Sequence, residues 1–168
     1  MTKRSIPPLG NTSVCLRLLT KADLPQTLEW RNLDHIRIWF FHSDIISLEN
    51  HLAWFEKYKE KDDDFVFIII DTQTNHAVGQ IALYHIDWKQ KRAEYGRLII
   101  GAPEARGKGF AKIATRLLVA YAFENLGLEA IYLEVLEGNL AARKVYEQCG
   151  FTITHHEKNV IALAIRKN

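Results

Sequence analysis

Apolar and polar positions change their period several times along this chain, and each change marks an element. Val14, Leu16 and Leu18 alternate with Cys15 and Arg17, the two-residue period of a strand with one buried face. Thr20 then supplies an N-cap, Asp23 an acidic first turn and Pro25 an early helical proline. They predict a helix to about Arg31 with Leu24 and Leu28 on one face. After a short irregular stretch Ser47 caps a second helix, whose apolar side is Leu48, Leu52, Trp54, Phe55 and Tyr58. Periodicity makes Trp54 and Phe55 core positions, and Lys61-Asp62-Asp63-Asp64 ends the helix. Phe65 to Ile70 is apolar without interruption, as in a strand covered on both faces. Gln73-Thr74-Asn75-His76 turns the chain into an alternating partner from Val78 to Ile86. Trp88 to Lys91 turns it again into a strand from Ala93 to Ile100. From Phe110 the apolar positions Ile113, Ala114, Leu117, Leu118 and Tyr121 recur at helical spacing until Leu126-Gly127. A strand from Ala130 to Val135, a helix from Leu140 to Cys149 and a hairpin of Phe151–Thr154 with Asn159–Ile165 complete the order.

Length and charge narrow what such a chain does. At 168 residues it is expected to be one domain, 1–168, with a substantial core. The net charge of +2 and dispersed Lys and Arg argue against a nucleic-acid binder, so any phosphate must be held by local positive sites. Cys15 and Cys149 are too few and too far apart for a zinc site or a disulfide framework, and no metal is expected. No apolar signal segment follows Lys3-Arg4, and the longest apolar run, Phe65 to Ile70, is too short to span a bilayer. A cytoplasmic protein that is not membrane-embedded, monomeric or homodimeric, is the expectation.

Arg106-Gly107-Lys108-Gly109-Phe110-Ala111 carries the strongest chemical signal. It lies between a strand and a helix, where glycines leave backbone N–H groups uncovered and the helix dipole favours an anion. Arg106 and Lys108 add formal charge. It is not a Walker loop, because five residues separate Gly101 from Gly107 and Gly109 stands where the metal-binding Ser or Thr belongs. Nor is it a dinucleotide fingerprint, whose third glycine would fall at Lys112.

The loop resembles the acetyl-coenzyme A motif of the GNAT N-acetyltransferase superfamily, Gln/Arg-x-x-Gly-x-Gly/Ala, with Arg106, Gly109 and Ala111 in its three places. Asn139, Ala142, Tyr146, Gly150 and Phe151 match the same superfamily's N-x-x-A-x-x-x-Y-x-x-x-G-F signature, in the right order. The resemblance implies an α+β fold with a mixed, mostly antiparallel sheet of about seven strands flanked by about four helices. It also implies acetyl-coenzyme A as co-substrate and a splayed strand whose N–H groups near Leu98, Ile99 and Ile100 hold the pantetheine and the thioester oxygen. Tyr146 falls where the family protonates the leaving thiolate, although its spacing from Ala142 and Cys149 also suits simple packing. Asn139 caps its helix and contacts the cofactor, while Arg143 faces the coenzyme phosphates or solvent. For the base, Glu134 matches the glutamate that ribosomal-protein alanine acetyltransferases use through a water, and Glu94 lies at the start of the splayed strand. Either also reads as an ordinary strand glutamate; His85 is a third option.

The acceptor side is aromatic. Leu28-Glu29-Trp30-Arg31-Asn32, Ile46-Ser47 and His51-Leu52-Ala53-Trp54-Phe55 resemble sugar-nucleotide N-acetyltransferases of pseudaminic-acid type. That resemblance implies a small-molecule amine, the amino group of a nucleotide-linked deoxysugar, held by Arg31, Trp39, His42 and His85. Acetylation of a protein N-terminus and a non-catalytic acyl-coenzyme A sensor are the alternatives.

Overall fold

In the computed structural model, which describes residues 2–168, the alternating segments form strands and the 3.6-period segments form helices; Met1 lies outside the described residues. The strands are β1 (Leu9–Gly10), β2 (Val14–Leu18), β3 (Phe65–Asp71), β4 (His76–Asp87), β5 (Arg92–Ile100), β6 (Ala130–Leu136), β7 (Thr152–Glu157) and β8 (Val160–Arg166). The helices are α1 (Leu24–Asn32), α2 (Asp34–Arg37), α3 (Leu48–Tyr58), α4 (Phe110–Glu124) and α5 (Leu140–Gln148). One sheet takes all eight strands in the order β1-β2-β3-β4-β5-β6-β8-β7. Neighbours are antiparallel except β5 and β6, which run parallel. Seven strands and four helices become eight and five because β1 and α2 are too short to carry a period.

β3 is apolar throughout because each of its faces meets a different layer. Phe65, Phe67 and Ile69 point into the main core with Ala114, Leu118 and Ala122 of α4. Val66 and Ile68 point the other way, onto Leu24, Phe55 and Tyr58 of α1 and α3. α3 starts as its sequence dictates, Ser47 Oγ accepting from the Asn50 N–H at 3.1 Å.

α1 departs from expectation. Thr20 caps only a 3₁₀ turn, Lys21–Asp23, and its N–H donates to the Asp23 carboxylate at 2.8 Å. The buried residues of α1 are Leu24, Thr27, Trp30 and Arg31, not the Leu24–Leu28 stripe. Two polar side chains therefore sit on the inner face of a helix, where an apolar stripe is the rule. Among the described residues no helix is long and apolar enough to cross a membrane.

Candidate active site

β5 and β6 pair only over Arg92–Glu94 and Ala130–Tyr132, and then separate. The register of β5 with β4 also slips between Gln80 and Ala82, where β5 inserts one extra residue. Arg97 takes that place with φ 55°, and the Gln80 amide donates to its carbonyl at 3.0 Å. Bulge and fork together open a cavity of about 410 Å³. Leu98, Ile99 and Ile100 line one wall, Asn139, Ala142 and Tyr146 the other, and Glu94 stands at the last paired position before the fork.

The glycine loop leads into α4 beside this cavity. Gly109 is the N-cap with φ 81° and Gly107 has φ 72°; an added Cβ meets nothing at either, so the backbone angle alone demands glycine. No side chain caps the helix. The first intrahelical bond is Ile113 N–H to Gly109 C=O at 3.1 Å, which leaves the N–H groups from Gly109 to Lys112 for an anion. Ala111 lines the cavity and Phe110 is buried, while Lys108 is exposed. The Arg106 guanidinium turns onto the His35 imidazole of α2. Tyr95 on β5 fixes the position of α4 through its hydroxyl, 2.6 Å from Thr115 Oγ1, which donates to the Ala111 carbonyl at 2.7 Å. Asn139 accepts from the Ala142 N–H at 3.3 Å and caps α5. Arg143 donates to the Glu137 carbonyl at 3.0 Å and does not line the cavity.

Tyr146 is buried beside the rings of Tyr95 and Phe151, with centroids 5.8 and 6.0 Å away. Burial raises its pKa, so the phenol keeps its proton at neutral pH. Glu94 accepts from the Tyr84 hydroxyl at 3.1 Å and lies 2.9 Å from His85 Nδ1. Gly96 leaves room for this, since a Cβ there would stand 2.6 Å from the Tyr84 hydroxyl. Glu134 also lines the cavity but is exposed, and it faces a second groove with His155 and Glu157. His85 lines neither the cavity nor the chamber beyond it.

That chamber, about 450 Å³, adjoins the fork and shares Phe40, Phe41, Tyr84 and Arg97 with it. Arg31 and His42 line the chamber; Trp39 lines the fork cavity, its ring 3.6 Å from where a Gly138 Cβ would be. Trp54, expected in the core, is half-buried and lines the chamber, because α3 turns only Phe55 and Tyr58 fully inward. Arg31 is only 9% exposed. Its Nη2 donates to the His42 carbonyl and its guanidinium lies 4.2 Å from the Phe40 ring centroid, but buried Nη1 has no partner among the described residues. Burial, and then Arg37, lower its pKa; a guanidinium nevertheless stays charged. Arg97, by contrast, is held by Asp64 through bonds of 2.7 and 3.3 Å. The sequence reading missed Arg97, Tyr84 and Asp64; a lone arginine inside the apolar run before Leu98-Ile99-Ile100 was the available signal.

Among known proteins, the acetyltransferase (GNAT) domain family matches residues 13–152. Spermidine N(1)-acetyltransferase of Vibrio cholerae is 32% identical over 146 residues, covering 87% of this chain and 83% of that protein. Acetyltransferase PseH of Campylobacter jejuni is 26% identical over 150 residues, covering 89% and 90%. The crystal structure of the Vibrio cholerae spermidine N-acetyltransferase in complex with CoA and spermine superposes with a TM-score of 0.84 at 29% identity, over 93% of this chain and 96% of that one.

Proposed function

The chain belongs to the GNAT acetyltransferase family and is an acetyl-coenzyme A-dependent N-acetyltransferase of amines; within that activity, we propose that the amine sits on an acceptor carrying an anionic group, as in a nucleotide-linked amino-deoxysugar. Residues 1–168 act as one domain in this reading, supported by a sheet continuous from β1 to β8.

The observation that carries the acceptor is Arg31. A buried guanidinium N–H without a partner costs about 1–3 kcal/mol, a penalty an incoming phosphate or carboxylate would relieve. Among the described residues no carboxylate lines the chamber, whereas Arg31, His42, His51 and Arg97, the last paired with Asp64, do. Phe40, Phe41 and Trp54 offer faces for a base or sugar ring.

In this reading the coenzyme pyrophosphate rests on the first turn of α4, and the pantetheine follows the wall at Leu98–Ile100. The amine enters from the chamber, so transfer is direct, within a ternary complex. Glu94 removes a proton from the ammonium, and the free amine attacks the thioester carbonyl. A β5 N–H aimed at the developing oxyanion would contribute about 3 kcal/mol. The tetrahedral intermediate collapses and expels the thiolate, which takes the Tyr146 proton, and the surplus proton left on the acylated nitrogen restores the Tyr146 phenol. Glu94 is preferred to Glu134 because the Tyr84 hydroxyl donates to its carboxylate at the fork and His85 Nδ1 lies beside its other oxygen.

A polyamine acceptor is the second reading, favoured by the spermidine N-acetyltransferase relatives. Thiol release from acetyl-coenzyme A, measured with a UDP-linked 4-amino-deoxysugar, spermidine, an aminoglycoside and ribosomal N-terminal peptides, separates the readings. Turnover of the sugar-nucleotide at the lowest KM is expected. Efficient acetylation of spermidine with none of the sugar-nucleotide would replace the anionic acceptor by the polyamine.

A further inference from the structure

A second strand irregularity brings His85 to Glu94. β4 and β5 slip register a second time between Tyr84 and Asp87, where β4 carries the extra residue, and His85 adopts φ 48° there. The bulge leaves the imidazole Nδ1 2.9 Å from Glu94 Oε1. The two side chains face different surroundings. Glu94 lines the cavity at the fork, and the His85 side chain is 69% exposed and outside it.

We propose that His85 is a proton relay, carrying the acceptor's proton from Glu94 to solvent; this rests on the reading of Glu94 as the base. The acceptor ammonium loses a proton to the Glu94 carboxylate, and the carboxylic acid passes it to Nδ1 of a neutral imidazole in its Nε2–H tautomer. The imidazolium then releases its Nε2 proton to water or buffer, and exchange with solvent resets the tautomer. One proton leaves the substrate, one enters the solvent, and both residues return to their starting states. Without such an exit, a carboxyl group enclosed by a bound acceptor must wait for the site to open before its next turnover.

The other charged and titratable groups around the pair do not suit this task. Tyr84 is raised well above its ordinary pKa, by burial first and then by Glu94, and remains a fixed donor to Oε2. Tyr132, facing Glu94 from β6, is also raised, chiefly by burial. Tyr146, the proposed acid across the cavity, is raised by burial as well. Arg97 lies 4.1 Å from the Tyr84 ring and Arg92 5.3 Å from the Tyr132 ring, both permanent cations. Asp87 accepts from the Gln90 N–H at 2.8 Å. An exposed imidazole is the one side chain of this set whose ordinary pKa suits proton exchange near neutrality.

The test is steady-state kinetics with acetyl-coenzyme A and the acceptor that turns over in the panel above, using His85→Ala, His85→Gln and Glu94→Gln. Both His85 variants are expected to lose about ten- to a hundredfold in kcat, with the KM for acetyl-coenzyme A within about twofold of the parent. Millimolar imidazole should restore most of the activity of His85→Ala, and the deficit should shrink in alkaline buffer. His85→Gln keeps a hydrogen-bond donor but carries no proton. Full activity in that variant would reduce His85 to positioning Glu94 and overturn the relay, as would a His85→Ala loss that imidazole does not relieve. Full activity in Glu94→Gln refutes the base itself, an outcome distinct from failure of the relay alone.

Discussion

Replacing Arg31 by Met separates the role of this residue in binding from its role in folding. In the parent, the unpartnered Nη1 costs about 1–3 kcal/mol, and Met removes that penalty while filling similar volume. Against this, the variant loses the bond to the His42 carbonyl, about 1.5–3 kcal/mol for a charged donor, and the contact with Phe40, about 0.5–2 kcal/mol. These terms oppose one another at similar size, so net stability should change by no more than a few kcal/mol. For a chain of this length each kcal/mol shifts the melting temperature by about 2–4 °C. Acceptor binding has no such compensation. Loss of one charge-assisted contact costs about 1.5–3 kcal/mol, or roughly ten- to a hundredfold in KM for the sugar-nucleotide. The KM for acetyl-coenzyme A should stay put, because Arg31 lines the chamber and not the fork cavity. Calorimetric melting and initial rates with each substrate varied in turn measure both sides. An unchanged acceptor KM, or equal rises in both KM values with a collapse in melting temperature, would refute the anion-binding role.

Gly109→Val forces a branched side chain into φ 81°, and should weaken acetyl-coenzyme A binding by titration calorimetry; affinity equal to the parent's would mean the pyrophosphate lies elsewhere. Tyr146→Phe keeps the packing against Tyr95 and Phe151 and should lower kcat by about 10²–10⁴-fold while sparing cofactor affinity, provided chemistry limits turnover. An unchanged kcat returns Tyr146 to a packing role. Lys3 donates to the Tyr58 and Asp64 carbonyls, and burial lowers its pKa to about 8 from the ordinary 10.5. Between those values the unfolded chain binds the extra proton, so this residue makes folding stability rise with pH from about 8 toward 10.5. The melting temperature of the parent relative to Lys3→Met should climb across that window; a flat difference would show that Lys3 keeps its ordinary pKa.

The chain's local patterns were enough to place most elements. Ser47 and the apolar face after it gave α3, and the unbroken run from Phe65 gave a doubly covered strand, because capping and periodicity act between residues close in sequence. The glycine loop and the spacing around Asn139 and Tyr146 likewise marked the cofactor side, since a helix N-terminus and a single helix face are local objects. The acceptor side required the tertiary structure. The bulges at Arg97 and His85 put non-glycine residues at positive φ, which neither side chain announces. They arise from a mismatch of register between whole strands. Whether Glu94 or Glu134 is the better base depends on where β5 and β6 part and on contacts with Tyr84 and His85, ten and nine residues away. Arg31 is named as an acceptor contact from the composition of its segment, with nothing there to show that it is buried. Only the packing of α1 against the 40–54 segment buried its guanidinium and left one nitrogen unbonded, a property of the space enclosed by several segments, which no single stretch of sequence contains.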